Sequence, residues 1–129
     1  MAKKTFNTQP INTGKTELDD FIPDPNTQDK WSVWKHDHPG KLTQFVIERK
    51  EEDGGGYLFA YCRKPDRLEY QAYFQTRTQD TFRALELLYN TCILYQDPEI
   101  RDESKDYYIS LLFNVFELVD LYNVQVKKR

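Results

Sequence analysis

A chain of 129 residues with 18 Lys and Arg against 21 Asp and Glu, net charge −3, is one domain's worth of sequence and carries no surplus of positive charge. That balance disfavours nucleic acid as a general partner, because phosphate binding needs Lys and Arg gathered on one face. Two cysteines, Cys62 and Cys92, are too few for a disulfide framework, and no apolar run approaches the ~18 residues of a membrane span.

Aromatic residues reach 15%, yet mean hydropathy is −0.80, a conflict that is resolved if polarity is concentrated in one segment. Residues 1–30 supply it, being rich in Thr, Asn, Gln, Asp and Pro. They read as an extended or disordered N-terminal arm, separate from a single domain at 31–129. Sparse apolar points along the arm (Phe6, Ile11, Phe21, Ile22) suit docking into grooves of a neighbouring chain. Trp31–Trp34 reads as a short strand and His36–Gly40 as a turn. Leu42–Lys50 is β-branched and aromatic. Tyr57–Arg63 alternates, with Tyr57, Phe59 and Tyr61 on one face and Leu58, Ala60 and Cys62 on the other. The loop between them carries Gly54, Gly55 and Gly56, so the two strands predict a hairpin within a two- or three-stranded antiparallel meander.

Three helices follow. Pro65 is placed to open the first, where its missing N–H costs nothing. Leu68 and Ala72 form one stripe along it, Tyr70 and Phe74 another. The second, from about Thr81 to Leu94, sets Phe82, Leu85, Leu88, Tyr89 and Cys92 on one face. The third runs from a Ser104 cap to about Leu121, and Tyr122–Val126 alternates like an edge strand. The fold class is therefore α+β: a small antiparallel sheet followed by three helices, with a polar arm.

The third helix carries more apolar surface than one face needs. Tyr108, Leu111, Leu112, Val115, Leu118, Val119 and Tyr122 make a wide core stripe, and Ile109, Phe113 and Phe116 make a second. A helix apolar nearly all round is either central or an interface. Burying three such side chains in an interface removes a few hundred Å², at ~25 cal/mol per Å², before association costs. These residues are the candidate protein interface, for a homo-oligomer or a partner helix.

No arrangement for catalysis, cofactor or metal stands out. His36 and His38 lack further ligands nearby in sequence, there is no Gly-x-Ser-x-Gly elbow, and the glycine run lacks a following Lys-Ser/Thr. Arg63, Lys64 and Arg67 at the exit of the aromatic strand are the possible nucleic-acid contact, since rings beside basic side chains stack single-stranded bases. Those rings are more economically read as core beneath the helices.

A hairpin strand ends in Arg63-Lys64-Pro65. A helix follows with Ala84-Leu85-Glu86-Leu87-Leu88-Tyr89-Asn90-Thr91-Cys92, then an acidic spacer at Gln96–Asp102 and a last apolar helix. Over about residues 45–129 this order resembles the small tail assembly chaperone-like proteins of phages and prophages. The resemblance implies a non-enzymatic protein that binds other protein chains during particle assembly: tape-measure, tail or capsid components. It implies location in the host-cell cytoplasm or the virion. The alternatives are a small phage or mobile-element protein that inhibits a host protein, and a single-stranded nucleic-acid-binding module.

Overall fold

The computed structural model describes residues 17–119, 121 and 124–128. Its frame is a three-stranded antiparallel sheet in the order β1-β2-β3, formed by Thr43–Glu48, Tyr57–Cys62 and Ile93–Gln96. Helices α1 (Trp31–Asp37), α2 (Arg67–Arg77), α3 (Thr81–Cys92) and α4 (Tyr107–Leu112) complete an α+β architecture.

β1 and β2 make the predicted hairpin, from Thr43 opposite Cys62 to Glu48 opposite Tyr57. A short 3-10 turn, Glu51–Asp53, closes it and ends on Gly54 at φ 109°. A side chain there would be strained, and its Cβ would lie 3.1 Å from the Arg49 guanidinium. That guanidinium fills the loop, donating to the Gly55 carbonyl at 2.8 Å.

β3 completes the expected three-stranded antiparallel sheet, but from a stretch read as helix. Helical periodicity had carried the second helix on to Leu94, but α3 ends at Cys92 and Ile93 is already extended. The Cys92 carbonyl accepts from Arg63 N–H and the Phe59 carbonyl from Asp97 N–H, at 3.0 and 2.9 Å. The open edge of β2 thus satisfies the backbone that leaves the helix. The third strand arrives after two helices. The strand expected at Tyr122–Val126 is not seen in residues 124–128, which carry no regular structure; Tyr122 and Asn123 lie outside the described residues.

The period of two in β2 divides the molecule into two cores. Leu58, Ala60 and Cys62 face α2, α3 and α4, joining Tyr73, Leu85, Leu88, Tyr89, Ile100, Leu111, Leu112 and Val115. Phe59 and Tyr61 face the other way, into a smaller cluster with Trp31, Trp34, Phe21, Leu18 and Tyr95. The aromatic face expected beneath the helices is therefore covered by the N-terminal part of the chain. Trp31 and Trp34 belong to α1, not to a strand. The reason is spacing: three residues apart, the two indoles share one side of a helix but would straddle a strand. Their rings lie 6.1 and 5.2 Å from that of Tyr61.

Residues 17–30, expected within an extended arm, hold the 3-10 turns Glu17–Asp20 and Gln28–Lys30 and dock on this face. A buried polar knot fastens them. Tyr61 and Thr27 hydroxyls donate to Asp24 Oδ2 at 2.8 and 2.5 Å, and Trp31 Nε1–H donates to Thr27 Oγ1 at 3.1 Å. At the rim, the Gln44 amide exchanges two hydrogen bonds with the Ile22 backbone, at 2.8 and 2.9 Å. The low hydropathy of this segment hid its few large anchors.

α2 starts later than Pro65 suggested. Asp66 is its N-cap, in a capping box with Glu69, and Pro65 sits one residue outside. Tyr73 faces the core while Leu68 is exposed, so the stripe expected from Leu68 and Ala72 is rotated. In α3, Phe82 is likewise exposed, and Ala84 takes a core position.

Candidate functional site

The long third helix is broken. α4 ends at Leu112, and a 3-10 turn, Val115–Leu118, continues after Asn114. Asn114 accounts for the break: its side-chain amide donates to the Ser110 carbonyl at 3.1 Å, while its N–H bonds Leu111 in the tighter 3-10 pattern at 2.9 Å. Asn commonly competes with helical backbone in this way. The start also differs, with Asp106 and not Ser104 at the N-cap position.

The break preserves the two-sidedness read from the sequence. Tyr107, Leu111, Leu112, Val115 and Leu118 are buried in the main core. On the opposite side Ile109 is 46% exposed, Phe113 74% and Phe116 48%. A central-helix arrangement would have covered all three. Phe116 leans on Tyr73 of α2, ring centroids 6.2 Å apart, so the strip is anchored at one end. Beside it run Ser110, Asn114 and Glu117, which form one wall of a groove of about 510 Å³; the opposite wall is β1.

The elements holding α4 are tied to the hairpin loop. Tyr107 hydroxyl donates to Asp53 at 2.5 Å and accepts from Lys50 N–H at 2.9 Å. Arg49 grips Glu99 through two nitrogens at 3.0 and 3.2 Å, and Lys105 donates to Glu99 at 2.6 Å. The hydrogen bond from Tyr107 and the nearby Lys105 hold the Asp53 carboxyl below its usual range. Lys105 and Arg49 do the same for Glu99.

The other sequence candidates separate by location. Phe21, expected as an interface point, is spent within the fold, its ring 5.2 Å from that of Trp31. Ile22 is exposed at the rim. Phe6 and Ile11 lie outside the described residues. Arg63 is neutralised by Glu69 at 2.8 and 2.7 Å and also bonds the Thr91 carbonyl. The Lys64 ammonium stands over the Tyr70 ring, 5.1 Å from its centroid, and Arg67 is exposed. Phe59 and Tyr61, the rings that would stack bases, are buried. The arrangement needed for a single-strand platform is not assembled by these residues.

Cys62 and Cys92 are buried free thiols, pushed up by burial, Cys92 to about 12. Among the described residues, no three His, Cys, Asp or Glu side chains are grouped to hold a metal ion. No helix among them is long and apolar enough to cross a membrane. Sequence reasoning missed the groove and the Asp24–Thr27–Tyr61 knot, since both depend on how separate elements meet.

No family model matches the chain, and no curated protein is similar to it at a significant level. A solved structure of an uncharacterised protein from Bacillus stearothermophilus is similar over 77% of this chain and 100% of its own, at 17% identity and a TM-score of 0.45.

Proposed function

We propose that this chain is a non-enzymatic protein-binding component of phage or phage-like particle assembly. It docks an amphipathic helix of a partner chain on the strip Ile109, Phe113 and Phe116. The exposure of these three side chains on the outer side of α4 and the following turn carries the reading. A helix laid on them buries apolar area on both partners, the mode by which grooves and strips take up amphipathic helices. The assembly role rests on the resemblance of residues 45–129 to tail assembly chaperone-like proteins, whose partner is the long helical tape-measure protein. The polar neighbours Ser110, Asn114 and Glu117 keep the strip narrow, which favours a helix over a broad flat surface.

Co-expression with the tape-measure protein of the same genome, followed by light scattering, tests the reading. The wild-type chain forms a complex, and Phe113→Asp abolishes it while circular dichroism and melting temperature stay unchanged. A folded Phe113→Asp protein that still binds, or a wild type that never does, overturns it.

A further inference from the structure

β1 is an edge strand, and its open side faces the groove. Arg49 N–H donates to the Gly56 carbonyl at 2.9 Å, so Arg49 turns its backbone toward β2. The antiparallel period of two then turns Thr43, Phe45 and Ile47 the same way, and Gln44, Val46 and Glu48 outward. Exposed backbone of this kind is a template for another strand. The groove beside it offers apolar contacts from Phe45, Ile47 and Leu111. Its charged side chains are Glu48 and Glu117, neither in an ion pair among the described residues.

A segment of this chain has the complementary pattern. Residues 124–128 read Val-Gln-Val-Lys-Lys. They carry no regular structure, and Val124 and Val126 are 75% and 74% exposed. Alternating apolar side chains suit a strand with one face against an apolar wall, and the two lysines match the two carboxylates. The segment spans the same length as Gln44 to Glu48, the stretch with outward backbone. None of it lines the groove of its own chain.

We propose that residues 124–128 of a second copy of this chain add as a strand to the open edge of β1, making a two-fold dimer. Each copy then supplies one edge and one strand, so the exchange is reciprocal and closes. Backbone hydrogen bonds at Gln44, Val46 and Glu48 hold the strand, and the valines and lysines set its register.

Sedimentation equilibrium from micromolar to millimolar concentration tests this. The full chain shows a concentration-dependent dimer mass. The double variant Val124→Asp/Val126→Asp loses that mass with an unchanged circular dichroism spectrum. Glu48→Lys/Glu117→Lys weakens the dimer about tenfold or more at low salt. Amides of Gln44, Val46 and Glu48 exchange slowly in the dimer and fast in the valine variant. Phe113→Asp keeps the dimer while losing the partner helix, so this inference and the proposed function fail separately. A chain that stays monomeric throughout, a dimer that survives the valine substitutions, or equal exchange at those three amides overturns the proposal.

Discussion

Tyr61 shows what one side chain does for this fold. Its ring meets those of Phe21, Trp31, Trp34, Phe59 and Tyr95, and its hydroxyl reaches the buried Asp24 carboxylate. Losing a donor to a buried carboxylate costs about 1–3 kcal/mol, because the acceptor cannot find water instead. Tyr61→Phe keeps the ring and removes that donor, together with the acceptor the hydroxyl offers to Thr27 Oγ1 and Gln44 Nε2, each at 3.1 Å. Urea denaturation is expected to show a lower midpoint with an unchanged slope; an equal midpoint would mean that water replaces the hydroxyl. The alternation that sets Tyr61 opposite Cys62 was plain in the sequence, but what covers each face was not. Alternation assigns sides, whereas the identity of the cover depends on contacts 30 or more residues away, such as Tyr61 with Asp24. Asp24 and Thr27 lie in a stretch whose composition resembles disorder, and their partners become visible only in three dimensions.

At the scale of elements, helix ends and strand joins departed most from expectation. Periodicity identified α3 and the two-sidedness of the last apolar segment, since each buries a face, whereas the face α2 buries, that of Tyr73, was not the one expected. It did not place the stops at Cys92 and Leu112, which are set by pairing to β2 and by Asn114. The link between the hairpin loop and α4 is ionic, and this gives it a pH dependence. Asp53 and Glu99 titrate below their unfolded values, the first through Tyr107 and Lys105, the second through Lys105 and Arg49. A carboxyl with a depressed folded pKa contributes stability that is complete above the ordinary value of about 4 and is lost as pH falls through the folded one. The melting temperature should therefore fall on acidification below about pH 4. Lys105→Met, which removes a partner of both acids, should flatten that fall. If the acid limb of the variant superimposes on wild type, the cluster does not govern it.

Across the whole molecule, one sheet serves two cores of unequal size, and the smaller is closed by residues that composition alone sets apart as an arm. A chain beginning at Trp31 would lose Phe21, Asp24 and Thr27 from that core. Such a chain is expected to melt at lower temperature and to bind more of a hydrophobic dye than the full chain does, since Phe59 and Tyr61 become reachable by solvent. Equal melting temperatures would show that residues 17–30 only rest on the sheet. The apolar strip along α4 and the turn after it was legible beforehand because a segment with two apolar stripes in a small domain has too few neighbours to cover both. The groove was not, because its walls come from β1 and α4, joined in no local pattern.

The late arrival of β3 has a consequence for how the chain is made. Tyr95 helps to complete the aromatic surface on which α1 rests, its ring 6.4 Å from that of Trp34. During synthesis, Phe21, Trp31 and Trp34 leave the ribosome long before Tyr95 exists. Their cover on the sheet is thus completed only after α3 has been made, and so is the main core, whose Ile100, Tyr107, Leu111, Leu112, Val115 and Leu118 follow Tyr95 in the chain. Closing such long loops late slows folding and leaves large aromatic side chains unprotected on the nascent chain.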